Sequence, residues 1–384
     1  MSRPEHLPFD APLDAYEAQA DQLLAGHHAG APAAIQILHE CLPRFLDPVV
    51  TWKPLPISDD EIRAAHLTPD DARLALARAY SFRDWEALAS YVGDVTAVGS
   101  PVRQFESAVE AVINGDATTL RVMLTANPEL VRSRSTRITC HDPAVHGAML
   151  LHYIGANGVE GYRQRSPSNA VEIATMLLNA GAEVDAHAGM YGGQCTTMSM
   201  LISSSPPAEA GVQVALVNTL LDHGARIDGT GAGDWVSPIR TALIFGFRDA
   251  AEAVASRVSS VDDLVIAAGL GRTADFARLL PSAGSVARHE ALAIAALNNR
   301  VDVVALLLHA GEDPNRMNPE RMHAHQTPLH SAALYGYLSM TQLLVERGAR
   351  MDIPDGLWNS TALGWARHGG QDTVAAYLAS RGAT

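Results

Sequence analysis

The sequence predicts an all-α solenoid in which pairs of short helices stack side by side. Three observations predict it. Glycines recur at a fixed interval near the C-terminus, Gly336 to Gly370 and Gly348 to Gly382 each being 34 residues apart, and a fixed period of this size marks a stacked repeat. Apolar residues between those glycines fall in two helical stripes, Leu329, Ala332 and Ala333, then Met340, Leu343 and Leu344. Aromatics make up only 5% of a chain that is 47% hydrophobic and rich in alanine, a composition that suits close-packed helices better than a β-sandwich.

The clearest unit is "QTPLHSAALYGYLSMTQLLVERGARMD", Gln326 to Asp352. Thr327 is placed as an N-cap and Pro328 at the first helical position, where its missing N–H costs nothing. Gly336 breaks the first helix, and Gly348 ends the second in the left-handed conformation glycine tolerates. With Thr327, Pro328, Leu329, His330, Ala332 and Ala333 in order, the unit resembles the ankyrin repeat and its T-P-L-H-x-A-A hallmark. The resemblance implies an ankyrin-repeat solenoid with β-hairpin fingers, and protein–protein recognition without catalysis on its concave face. With its stretches "LLHYIGANGVEGYRQRSPSNAVEIA" and "YGGQCTTMSML…AGVQVALVNTLL" the chain looks like a group of bacterial ankyrin-repeat proteins; no activity follows from that resemblance.

Taken in order, residues 1–98 read as a helical N-terminal cap. "LDAYEAQADQLLAG" and "APAAIQILHECL" have helical periodicity, and a proline-rich stretch follows from Pro43 to Pro56. Thr68 with Asp71 forms a capping-box variant, and Ser81 with Asp84 repeats it, giving four expected helices. A repeat stack exposes raw apolar ends that such a cap would cover. Residues 103–384 then carry about eight repeats, several degenerate: copies begin near Phe105, Leu151, Thr196, Ser237, Asp262 and His289, ahead of the Gln326 unit and a last copy from Ser360.

Composition excludes several functions. The net charge of −14 argues against nucleic acid and anionic membrane as partners. No apolar run reaches the ~18 residues a membrane helix needs, and the N-terminus lacks a signal-peptide core. Three scattered cysteines fit reduced thiols and a cytoplasmic location. Lys53 is the sole lysine and lies between prolines in "TWKPLPI", which leaves no P-loop or Schiff-base lysine. The preference for arginine suggests a GC-rich bacterial genome. No cofactor is called for.

Insertions stand out against the register. His330 to Leu343 spans 13 residues where His152 to Leu177 spans 25, so 12 are extra in "ANGVEGYRQRSPSNAVEIA". Thr197 to Leu220 spans 23 against 16 for Thr327 to Leu343, so "SSSPPAEAG" adds 7. Both fall between the two helices of neighbouring repeats and are expected on one edge. Loops this long usually bind something or stay disordered, and Tyr162 and Arg163 are residue types that dominate interfaces. They make one candidate surface.

The fingers supply the other candidates. His141 and His146 lie in "TCHDPAVHGAMLLHY" and His323 and His325 in "RMHAHQTPLH"; Tyr191, Trp235 and Trp358 are finger aromatics. His152 and His330 occupy the L-H position and have a structural reading instead. Neither histidine group has zinc-signature spacing, "GTGAG" lacks a phosphate-binding context, and no G-x-S-x-G elbow occurs. The expected function is therefore capture of a protein or peptide, with exposed basic residues to suit the chain's acidity. The alternative is an enzyme or small-molecule binder whose inserted loops close a pocket over His141/His146 or His323/His325.

Overall fold

A computed structural model describes residues 6–156, 158–228 and 237–383. The chain divides into two compact units, the first built from Met1–Arg226 and the second from Asp234–Thr384, with a short exchange of residues between them.

The first unit opens with α1 (Leu13–His28), α2 (Pro32–Cys41), α3 (Asp59–Ala64), α4 (Pro69–Ala79) and α5 (Trp85–Thr96). That is one helix more than the sequence reading expected. The extra one, α3, is six residues long, too short to show a period, and a capping box at its start holds it: the Ser58 N–H donates to Glu61 Oε2 at 2.7 Å. Thr68 caps α4 as expected, with Thr68 N–H on Asp71 Oδ2 at 2.8 Å and Asp71 N–H on Thr68 Oγ1 at 3.2 Å. The expected Ser81–Asp84 box does not form. Asp84 caps α5 by accepting from Ala87 N–H at 2.9 Å, while Ser81 takes a positive φ of 65° and turns its hydroxyl elsewhere. Tyr16, Ile35, Leu38, Leu76, Tyr80, Phe82, Leu88 and Val95 make the core of this segment.

Repeats begin with α6 (Pro101–Asn114) and α7 (Ala117–Ala126). In the second repeat the inner helix is a 3-10 segment, Leu150–Gly155, paired with α8 (Ala170–Asn179). Gly155 is needed there because a Cβ would lie 2.9 Å from Leu201 N of the next repeat. That repeat holds α9 (Thr197–Leu201), the short α10 (Ser205–Glu209) and α11 (Gln213–Asp222); α10 is the "SSSPPAEAG" insertion wound into a turn. The two insertions do share an edge: Ser204 Oγ donates to Ala156 O at 3.0 Å.

The second unit contains α12 (Pro238–Ile244), α13 (Arg248–Ala255), α14 (Leu264–Leu270), α15 (Thr273–Leu279), α16 (Ser285–Leu297), α17 (Val301–His309), α18 (Pro328–Leu334), α19 (Leu338–Glu346), α20 (Ala362–His368) and α21 (Asp372–Ser380). Inner helices α12, α14, α16, α18 and α20 pack each on the next, with α15, α17, α19 and α21 behind them. Buried Ala267, Ala268, Ala291, Ala295, Ala296, Ala332 and Ala333 let the inner layer approach closely. Among the described residues the helix pairs follow the copies read from the sequence.

The fingers are loops rather than hairpins of named strands. Among the described residues only isolated antiparallel bridges form, one of them Ala188 with Cys195. The L-H histidines do as expected: His330 Nδ1 accepts from Thr327 N–H at 3.2 Å and its Nε2 donates to Ser360 O at 3.2 Å. His152 does the same with Met149 N–H and Ala186 O, at 3.2 and 3.0 Å.

Candidate functional site

The 12-residue insertion does not present a surface. Its 3-10 turn, Gly161–Arg163, folds inward, and the Gly161 N–H donates to the displaced Ser81 hydroxyl at 3.0 Å. Arg163 is 2% exposed, which corrects the reading of Tyr162 and Arg163 as a binding surface. Its Nη2 lies 2.6 Å from Glu106 Oε2 and 3.3 Å from Glu110 Oε1, and its Nη1 donates to Glu160 Oε2 at 3.0 Å. Arg137, from the first finger, stacks its guanidinium 4.1 Å from the Phe82 ring centre, 4.6 Å from Tyr91 and 5.2 Å from Tyr162. Its Nη2 donates to Tyr80 O at 3.0 Å.

His146 is in the same cluster and not on a finger surface, a second correction. It is 2% exposed; Nδ1 accepts from Ala148 N–H at 3.0 Å and Nε2 faces Glu160 Oε1 at 3.0 Å. Tyr153 donates its hydroxyl to the same oxygen at 2.6 Å. Burial favours the neutral acid at Glu160, but Arg137 and Arg163 outweigh it and hold the carboxyl well below its ordinary range. The arrangement ties the N-terminal helices to the first two repeats. A buried ion cluster of this kind fixes geometry more than it adds net stability, and it fails badly when one partner is removed.

The remaining finger candidates divide. His141 stays at the surface of the first unit. Tyr191 is 51% exposed, with a φ of 53° and its hydroxyl over Gly158 of the insertion. Trp235 lies outside the described residues. His323, His325 and Trp358, all in the second unit, come together. His323 sits 6.3 Å from Phe245 and 6.2 Å from His325, and His325 lies 5.8 Å from Trp365. Trp365 also meets His330 at 5.5 Å. His323 is pinned by an Nε2 bond to Ile244 O at 2.9 Å, and His325 by its carbonyl, which accepts from Gly356 N–H at 2.7 Å. Burial, then the neighbouring His323, lowers the pKa of His325, so it is neutral at pH 7.

At the end of this row is a cleft of about 410 Å³ lined by Leu334, Trp358, Ser360, Gly364, Trp365 and His368. Gly364 stands 34 residues after His330, where the L-H histidine would be, and the Ser360 hydroxyl takes the place that a side chain there would need. Trp365 takes the variable position held by the buried Ser331 one repeat earlier. Asp355 organises the wall. Its Oδ1 accepts from Leu357 and Trp358 N–H at 2.8 and 2.7 Å, and its Oδ2 from Ser360 N–H and the Trp365 indole, both at 2.9 Å. The sequence reading missed Phe245, Trp365 and His368; all three fall at the ends or variable positions of inner helices, and alignment with the Gln326 unit is the signal that would have found them.

Among the described residues no group of three His, Cys, Asp or Glu side chains converges to hold a metal ion. No described helix is long and apolar enough to cross a membrane.

Comparison with known proteins matches the ankyrin-repeat family model, three copies, to residues 292–384. Cyclin-dependent kinase inhibitor 2A of Monodelphis domestica is 33% identical over 124 residues, covering 31% of this chain and 70% of that protein. The putative E3 ubiquitin-protein ligase XBAT31 of Arabidopsis thaliana is 35% identical over 83 residues, 22% of this chain and 17% of that one. Mouse ankyrin repeat and SAM domain-containing protein 6 is 42% identical over 74 residues, 19% of this chain and 8% of that one. The chain thus spans only a small part of two of these relatives. The human ASB11 ankyrin repeat domain aligns at 21% identity over 71% of this chain and 96% of that one, with a TM-score of 0.35. The buried L-H histidines, the paired helices and the relative matched over most of its length agree: the chain belongs to the ankyrin-repeat family.

Proposed function

We propose that this chain is a protein- or peptide-binding module that uses the fingers and inner helices of its second unit. The observation that carries this is the row Phe245, His323, His325 and Trp365 ending in the Trp358 cleft. Half-buried rings such as His323 and Trp365, fixed by their own hydrogen bonds, cost little entropy on binding, and aromatics of this kind form the usual anchors of an interface. Ankyrin-repeat relatives named as a kinase inhibitor and a putative ubiquitin ligase carry names that imply other proteins as targets, which supports a protein partner here.

In this reading residues 1–98 are the cap of a repeat domain running from 103 to the C-terminus. The Arg137–Glu160–Arg163 cluster supports it, because it bonds α4 and its following turn to the first repeats. The setting is cytoplasmic. No observation favours the catalytic alternative: His146 is taken up by Glu160, and the long insertion folds against the N-terminal helices instead of closing over a histidine pair.

The test is selection of a displayed random-peptide library on the full-length protein. Peptides should enrich, and Trp358→Ala should lose them while melting as the parent does. A library that enriches nothing, or binders indifferent to Trp358, removes the reading.

A further inference from the structure

We propose that the Trp358–Trp365 cleft takes the cationic head of an arginine or lysine side chain on an extended peptide. This rests on the peptide-binding reading above and adds the chemistry of the anchor. Asp355, beside the cleft, is 3% exposed. Its oxygens meet only neutral donors, namely three backbone N–H groups and the Trp365 indole. Among the described residues no cation pairs with it. Burial would neutralise the carboxyl, but the four hydrogen bonds outweigh that and hold its pKa below the ordinary value. The charge is therefore present and uncompensated.

Three of the residues lining the cleft, Trp358, Ser360 and Trp365, are bonded directly to this carboxylate. The negative charge sits immediately beside a cleft lined by two tryptophans, one of which, Trp358, is 51% exposed. A ring face attracts a cation through its quadrupole, and Trp is the best of the side chains at this. The carboxylate adds its own Coulomb attraction to that of the rings. An apolar side chain would gain from the rings alone, and an anion would be repelled. The 410 Å³ of space admits a guanidinium and part of its stem.

The experiment uses the full-length chain and a set of peptides of one fixed sequence, differing only in a central Arg, Lys, Leu or Glu, taken from a binder that the library selection yields. Fluorescence anisotropy at low and high salt reads the affinities. The Arg and Lys peptides should bind about tenfold tighter than the Leu peptide, as a desolvated cation–π contact allows, and salt should narrow the gap. Trp358→Leu should remove the gap and Trp358→Phe should keep most of it; Trp358 is exposed, so neither change threatens the fold. Asp355→Asn should also remove the gap, checked against its melting curve. If the Leu peptide binds wild type as well as Arg does, the cleft is an apolar socket and this inference falls while the binding face stands. If no selected peptide depends on Trp358, both fall.

Discussion

The two units spend their unusual residues in different ways. In the first, long insertions bring charge and aromatics inward: Glu106, Arg137, His146, Glu160 and Arg163 are all at most 2% exposed. In the second, alanine fills the inner layer, and His323, His325 and Trp358 stand on the connections beside Trp365 of α20. The excess of acidic residues also belongs almost wholly to the first unit, since acidic and basic residues nearly balance from residue 234 onward. The lesson is that extra loop length in the first unit marks reinforcement.

Removing one arginine should break this contrast most sharply. Arg163→Ala takes a buried cation from between Glu106 and Glu160 and leaves Arg137 to offset both carboxylates, and about 3–5 kcal/mol of stability should go. Calorimetry should show the first unit melting earlier and limited proteolysis should release the N-terminal helices, while helix pairs α12–α21 keep their transition. An unchanged first transition would mean the cluster is not what joins these helices.

Acid probes the same unit. Burial, opposed by hydrogen bonds to carbonyls, lowers the pKa of His152 from 6.5 to about 4. The unfolded chain therefore binds the proton more readily, so the stabilisation is complete above about pH 6.5, falls as pH drops toward 4, and levels off below that. The loss should approach 3 kcal/mol. Denaturant titrations between pH 7 and 4 check it, and His152→Asn should flatten the slope.

In the second unit the expected effect is on binding. Trp358→Ala should weaken a selected peptide by about 2 kcal/mol, as hot-spot aromatics do, and leave the melting temperature within error. A drop in melting temperature instead would make Trp358 a packing residue. The smallest effect belongs to the first unit's caps: Thr68→Ala removes the Asp71 exchange and should cost about 1 kcal/mol, read from denaturant midpoints.

Much of the fold was legible. Thr327, Pro328, His330 and the paired glycines disclose the unit because capping and left-handed turns are local requirements, satisfied by particular residues at particular offsets. The site was less so. His323, His325 and Trp358 were readable as finger residues, but nothing local connects them to Trp365 or Phe245. Arg163 and Tyr162 misled because an arginine and a tyrosine in a long loop look the same whether they face solvent or a buried carboxylate. Ser81 misled for a related reason, since its hydroxyl answers to Gly161, distant in the chain.

By itself, then, the sequence determined the helix pairs, their caps, the spacing of the stack and the places where length was added, because backbone hydrogen bonding and helical periodicity are satisfied within a few residues. Tertiary structure alone decided which way each loop folded and which charges met. Those outcomes depend on pairing groups from distant parts of the chain, Arg163 with Glu106 and His323 with the Ile244 carbonyl among them, and burial of a charge is decided only when its partner arrives.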